Sequence, residues 1–290
     1  MKNKINGILI VISFLTTTAA TTLNPYGLSL MANKGTPVDV AMASALSVVC
    51  LLFVHWLVPR LRRMNSFNDA ILNSIGGGFA LGYVFLHAIP GFIGNLPLIK
   101  QQATTNFMQD EKNLLFIIFL FVVLGFCVWY ALEKLAHDHS KKGEEAGAIV
   151  YRSHVCMMMY AGFLTALIIP VLARESLYGM ILFTVIMAFH FVLEDHSLSH
   201  HFPKRFKYSG RYMIMLGIIG GWLLSFYLNE HVHMLMTTFM GAFLAGGLIL
   251  ATAKTEFSLL EGKSHFPTFL ASLMFKSLIV FILLLLENIG

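Results

Sequence analysis

The chain has 290 residues, of which 57% are hydrophobic and 12% are charged, with a formal net charge of +5 and a mean hydropathy of +0.74. This composition excludes an ordinary soluble globular domain and is typical of a polytopic membrane protein. The positive charge does not indicate nucleic-acid binding, because the basic residues lie in short segments between apolar runs, where membrane orientation explains them.

Nine apolar runs approach the length of about 20 residues that a helix needs to cross a bilayer. The sequence therefore predicts an all-α polytopic membrane protein with about nine transmembrane helices. The first run also resembles a signal peptide, but it lacks a clean cleavage site and we expect it to be retained. Residues 1–36 would form an extra N-terminal helix and outer loop, and residues 37–290 the transmembrane core. The runs cover residues 5–23, 38–58, 70–90, 114–136, 155–172, 177–194, 212–228, 234–253 and 269–286.

The distribution of basic residues predicts the orientation of the chain. With the N-terminus inside, 15 of the 20 Lys and Arg residues fall in loops on the cytoplasmic side. This asymmetry favours a cytoplasmic N-terminus and an outer C-terminus, in a plasma membrane or a bacterial inner membrane.

The longest polar connection, residues 137–150, would lie in the cytoplasm. Its His137 and His139 could capture a metal ion loosely. A solvated linker without that role is the alternative interpretation.

Glycines spaced four residues apart predict close helix packing, at Gly78 and Gly82 and again at Gly217 and Gly221. The glycine-rich segments 76–90 and 240–256 also resemble each other faintly. Because they lie five helices apart, their helices would run in opposite directions, as in an inverted repeat. Packing glycines alone would produce the same similarity.

Ionisable side chains within the apolar runs are candidates for function, because burying them in a membrane is costly. His190 and Glu194 are one helical turn apart and share a face, and Asp195 points about 100° away. His154, at a similar depth on the preceding helix, could complete a site for zinc or another first-row divalent ion, with Met158 nearby. The alternative is a simple hydrogen bond between histidine and glutamate.

Other isolated polar residues have more than one interpretation. His196, His200 and His201 form an HxxxHH pattern that could belong to a di-iron enzyme, although such enzymes need more histidine boxes. An exit funnel for metal or a basic interfacial loop is favoured. His55 and His87 lie near helix ends, where we expect bonds to backbone carbonyls. Lys276 should snorkel to the interface or pair with an acid, such as Glu256 or Glu261.

Three segments resemble the Zrt- and Irt-like (ZIP) family of divalent metal transporters. Residues 76–91, GGGFALGYVFLHAIPG, are similar to the family's second core helix; residues 188–195, AFHFVLED, to its fifth; and residues 239–257 to its seventh. The resemblance implies an eight-helix core with an inverted repeat, preceded here by one extra helix, and assigns His190 and Glu194 as metal ligands. The chain departs from the family pattern at Gly91 and at Met158, where an acid is usual.

Together these features predict a transporter of divalent metal cations, with zinc favoured, that works by alternating access. We expect no enzymatic activity and no prosthetic group; the partners would be the metal ion, as transported ligand, and the lipid bilayer. A homodimer is among the oligomeric states left open. A membrane-embedded metalloenzyme and a membrane protein of this fold that does not transport are the alternatives.

Overall fold

A computed structural model describes residues 37–61, 69–103, 105–140, 144–175, 177–256 and 264–287. Nearly all of these residues are helical, and none of them lies in a strand. The all-α fold predicted from composition is therefore confirmed for this part of the chain. The first apolar run and its retention as a helix concern residues 1–36, which lie outside the described residues.

Twelve α-helices follow one another along these residues, with two π-helical turns, π1 (Val84–Ala88) and π2 (Phe206–Gly210). The α-helices are α1 (Pro37–Leu61), α2 (Asp69–Tyr83), α3 (Ile89–Gly94), α4 (Leu96–Gln102), α5 (Asn106–Gln109), α6 (Glu111–Ser140), α7 (Glu144–Glu175), α8 (Leu177–His201), α9 (Pro203–Arg205), α10 (Arg211–Ser225), α11 (Glu230–Glu256) and α12 (Phe266–Glu287).

Five stretches of these helices are long and apolar enough to cross a membrane. They are Asp39–Val58, Asn73–Gln101, Glu111–Leu135, Gly147–Arg174 and Glu230–Lys254. Many large apolar side chains along α6 are exposed on the protein surface, among them Phe116, Phe119 and Val123, as expected of a surface that faces lipid. The chain is thus an all-α membrane protein; the count of nine membrane helices stays a prediction.

The segment predicted as a polar cytoplasmic loop is largely helical. Helix α6 continues to Ser140 and α7 begins at Glu144, so only residues 141–143 separate the two within residues 137–150. Lys, Glu and Ala, which are common in this segment, are good helix formers, and they let both helices extend beyond their apolar parts.

The long helix that follows α1 loosens at π1, and Pro90 accounts for the change. Proline has no N–H, and its ring collides with the carbonyl of the residue four positions earlier. Just before Pro90, the Ile89 N–H instead donates to the Val84 carbonyl, five residues back. Pro90 then lies in the first turn of α3, where a missing N–H is tolerated.

The helices pack around two separate apolar cores. The first core lies among α1, α7, α8, π2 and α10, and includes Leu51, Ile169 and Ile214. The second lies among π1, α3, α4, α6 and α11, and includes Val84, Ile118 and Ala242. Helix α12 packs mainly along α2, on the side of the second core. The molecule is therefore built from two bundles that meet along α6–α7 and α2–α8.

Glycines lie at close contacts between helices, as their spacing predicted. A Cβ at Gly217 or Gly221 of α10 would collide with the backbone carbonyl of Met159 or Phe163 on α7. Gly78 and Gly82 of α2 are covered in the same way by Ser272 and Lys276 of α12. In each pair the residue numbers rise together, so the two helices run parallel and their backbones approach closely.

Candidate buried ion site

Helix α8 carries the polar side chains that the sequence singled out. It runs unbroken from Leu177 to His201, so His190 and Glu194 are indeed one turn apart on one face. Both side chains are half-buried, whereas Asp195 on the neighbouring face is completely buried.

Asp195 is paired with a histidine from α1. The two side chains are both 0% exposed, and 2.6 Å separates His55 Nδ1 from Asp195 Oδ2. The His55 ring also lies against Phe191, one turn earlier on α8, with 4.9 Å between ring centroids. Phe191 and Asp195 thus form the face of α8 that holds the imidazole of α1.

The pair leaves two polar atoms without partners. Because a carboxylate accepts hydrogen bonds, His55 Nδ1–H donates to Asp195. In a neutral imidazole the other ring nitrogen, Nε2, then carries a lone pair. Both His55 Nε2 and Asp195 Oδ1 are buried and make no hydrogen bond within the described part of the chain. A histidine oriented by a carboxylate through one nitrogen, with the other nitrogen free, is the usual arrangement of a metal-binding histidine.

His190 and Glu194 are within electrostatic range of the Asp195 carboxylate. The imidazoles of His55 and His190 and the carboxyl group of Glu194 therefore lie around the Asp195 carboxyl group. Such nitrogen and oxygen donors suit first-row divalent cations. Within the described part of the chain, however, no group of three or more His, Cys, Asp or Glu side chains lies close enough to hold a metal ion.

His154 faces a different part of the molecule from the one predicted. Its Nδ1–H donates to the Val150 carbonyl at 2.9 Å, and its Nε2 lies 3.6 Å from Glu133 Oε1 on α6. The other oxygen of Glu133 pairs with Lys254 of α11. The rotation of α7 about its axis thus directs His154 toward α6 and α11, while Met158 is buried in the first core.

The histidines proposed for metal capture and exit lie at helix ends. His137 and His139 belong to the last turns of α6, and His200 and His201 end α8; the positions of these four side chains lie outside what the structure describes. His196, one residue after Asp195, is half-buried. Their roles in metal capture or exit stay predictions.

His55 is the residue whose partner the sequence interpretation missed. It was expected to bond a backbone carbonyl, as His233 does with Leu167 at 2.8 Å. Its actual partner lies 140 residues away along the chain. The sequence did contain a hint of this pair, because an ionisable side chain lies in or next to each of two apolar runs. An ionisable side chain buried in a membrane protein needs a partner, so the two could have been matched.

Comparison with known proteins identifies no match to a family model, a curated protein or a solved structure.

Proposed function

We propose that the chain is a membrane transporter of divalent metal cations, with zinc favoured, and that the ion passes between α1 and α8. The observation that carries this proposal is the fully buried His55–Asp195 pair, which leaves one imidazole nitrogen and one carboxylate oxygen without partners. Ionisable side chains inside a membrane protein commonly mark an ion pathway, because the cost of burying them must be offset by use or by pairing.

The nature of the donors favours zinc or a similar ion over magnesium. Imidazole nitrogens suit zinc and its neighbours, whereas magnesium prefers a shell of oxygen ligands and water. His55 and His190 supply the nitrogens, and Glu194 and Asp195 supply negative charge. This assignment moves the predicted site from the α7–α8 pair to the α1–α8 pair and leaves His154 and Met158 outside it.

The absence of three converging ligands among the described residues fits a site of moderate affinity. A transport route must bind its ion strongly enough for entry and weakly enough for release. In this conformation the free Nε2 of His55, completed by water, would hold the ion, while Asp195 orients the ring through Nδ1. Motion of α8 against α1 would bring His190 or Glu194 closer.

The division into two cores supports alternating access. The ion site belongs to the first core, so a movement of that bundle against the second would carry the site relative to the membrane without breaking either core. Bundles that move as packed units are a common means of domain rearrangement.

The arrangement of helix pairs supports an eight-helix core with an inverted repeat. Besides the pairs α2–α12 and α7–α10, α6 and α11 also run parallel, since Gly125 packs on Phe243 and Gly247 packs on Trp129. In a repeat that relates α2 to α11 and α6 to α12, the pair α2–α12 becomes the pair α11–α6. We propose this ZIP-like topology, with the N-terminus inside and the C-terminus outside.

Metal binding by the purified protein in detergent tests the proposal. We expect roughly one zinc ion per chain, with an affinity that falls at least tenfold in His55→Ala and in the double variant His190→Ala, Glu194→Ala, because nitrogen and carboxylate ligands are removed. His154→Ala is the matched control and should bind as the wild type does.

If His154→Ala were the only variant to lose zinc binding, the site would lie between α7 and α8, as the sequence predicted. No bound metal in the wild type would refute the transport proposal. Bound iron together with a changed lipid product would favour the membrane metalloenzyme instead.

A further inference from the structure

The connection between α8 and α10 carries an excess of positive charge. Residues 203–212, PKRFKYSGRY, are here called the basic turn and comprise α9, π2 and the first two residues of α10. There is no Asp or Glu between residues 196 and 229, and Asp195 is already paired with His55. The basic residues of the turn are Lys204, Arg205, Lys207 and Arg211.

One side of the basic turn is anchored to the first core. Phe206 is completely buried there. Gly210 lies so close to α7 that a Cβ would collide with the Tyr151 hydroxyl, and this hydroxyl is hydrogen-bonded to Ser209 Oγ at 3.0 Å. The inner side of the turn is therefore held in place, and its opposite side faces outward.

On the outward side, two cations each lie over the ring of the tyrosine that follows them. Lys207 Nζ is 5.3 Å from the centroid of the Tyr208 ring, and Arg211 Cζ is 4.5 Å from that of Tyr212. Such contacts position a cation without neutralising it. None of the ion pairs among the described residues involves Lys207 or Arg211, and Arg211 Nε makes no hydrogen bond to them. Both cations therefore remain available to a negatively charged group.

The tyrosines mark the level of the membrane surface. Tyr208, Tyr212 and Leu216 follow one another at four-residue intervals along π2 and α10, and they are 73%, 46% and 65% exposed. Tyrosines concentrate at the level of the lipid headgroups, whereas leucines face the acyl chains. The exposed side thus changes from aromatic to aliphatic along α10, and Lys207 and Arg211 lie at the aromatic level, where lipid phosphates are found.

We propose that the basic turn binds the phosphate group of an anionic phospholipid, with Lys207 and Arg211 as the charged contacts. Basic clusters next to a membrane helix attract anionic lipids, and a guanidinium matches the geometry of phosphate oxygens. The Tyr212 hydroxyl accepts a hydrogen bond from Arg211, so its own proton can be donated to the same phosphate. A lipid bound there would fix the connection between α8 and α10 at the membrane surface.

Lipid binding by the full chain in detergent, read by native mass spectrometry, tests the proposal. Phosphatidylglycerol is the probe, and its affinity should fall roughly tenfold or more in Lys207→Gln, Arg211→Gln, because two attractive charges are removed. The matched control is Lys100→Gln, Lys112→Gln, which removes two exposed lysines elsewhere in the fold and should leave the affinity unchanged. Equal weakening in both double variants would mean that binding follows net charge alone, and would overturn the site.

Further comparisons separate a lipid from soluble phosphate. Phosphatidylcholine should bind several-fold more weakly than phosphatidylglycerol, since its cationic group meets the same positive charge. Glycerol phosphate, which lacks acyl chains, should not displace the lipid at equal concentration. Equal binding of the two lipids, or displacement by glycerol phosphate, would overturn the proposal.

The tyrosines are tested separately from the charges. Tyr208→Ala, Tyr212→Ala keeps all the basic residues and should still weaken phosphatidylglycerol binding several-fold, because the rings that position the cations are lost. Wild-type affinity in this variant would contradict the proposed role of the rings. Lys207 is exposed, so Lys207→Gln alone tests the charge if the double variant does not fold. None of these measurements involves zinc, so the result is independent of the transport proposal.

Discussion

The pair formed by His55 and Asp195 shows how a single buried contact joins two distant parts of the chain. Neither residue is exposed, so neither can exchange its partner for water when the other is removed. The carboxylate also holds the imidazole in one orientation, with Nε2 free. The structural role of the pair and its proposed role in metal binding therefore both depend on this hydrogen bond. Substitutions can separate the two roles.

Removing one member of the pair should cost more stability than removing both. We expect Asp195→Ala to lower the free energy of unfolding by about 3–5 kcal/mol, because it leaves His55 buried without an acceptor. The double variant His55→Leu, Asp195→Leu should recover most of that loss, since similar apolar residues can fill the space, yet bind no zinc. Unfolding in mixed detergent micelles measures the first effect and metal titration the second. Wild-type stability of Asp195→Ala would contradict the expectation, and Glu194→Ala, only half-buried, serves as the control.

At the same scale, the sequence was informative wherever spacing along one helix decides the geometry. The one-turn relation of His190 and Glu194 follows from helical periodicity alone. The direction of His154 depends instead on how α7 is rotated against α6 and α11, and the partner of His55 depends on which helices meet. Sequence periodicity within one helix carries neither kind of information.

At the scale of elements, close packing in this fold depends on residues that lack side chains. Lipid is as apolar as leucine, so burying leucine between helices gains little in a membrane, and close backbone approach becomes more important. Gly217 and Gly221 let α10 lie directly on α7. Four-residue spacing predicted these contacts without the structure, although it could not identify the partner helix.

Neighbouring glycines on α10 provide a matched test of this packing. A Cβ at Gly221 would collide with the Phe163 carbonyl, whereas at Gly220 it would meet only the Phe163 ring at 3.9 Å. We expect Gly221→Ala to destabilise the protein by roughly 1–3 kcal/mol through overpacking, and Gly220→Ala to be neutral or slightly stabilising. Melting temperatures in detergent measure both effects. Equal effects of the two substitutions would show that the contact between α7 and α10 is looser than the structure indicates.

At the scale of the whole molecule, the sequence predicts about nine membrane crossings, and five stretches of the described residues are long and apolar enough to cross. Hydropathy predicts that residues 177–194 of α8 cross the membrane, and the five stretches found among the described residues do not include α8. Its second half carries Glu194, Asp195 and several histidines. These residues include the ones proposed to bind the ion. The proposed function therefore depends on whether α8 crosses the membrane.

The side of the membrane on which two positions are accessible, one before α6 and one after α8, shows whether α8 crosses. Asn106 precedes α6, Tyr208 follows α8, and both side chains are exposed. If α6, α7 and α8 all cross, the number of crossings between the two positions is odd and they lie on opposite sides of the membrane. If α8 does not cross, the two positions lie on the same side.

The measurement uses single-cysteine variants in which Cys50, Cys127 and Cys156 are replaced by alanine. Because basic residues concentrate in loops on the cytoplasmic side, we expect Asn106→Cys to react with an impermeant maleimide in intact cells. Tyr208→Cys should react only after the cells are permeabilised. Reaction of both positions in intact cells would remove α8 from the membrane, and with it the reason for expecting an ion to pass beside Asp195. Opposite sides would instead leave α8 crossing with six ionisable groups toward its inner end, which an ion route explains.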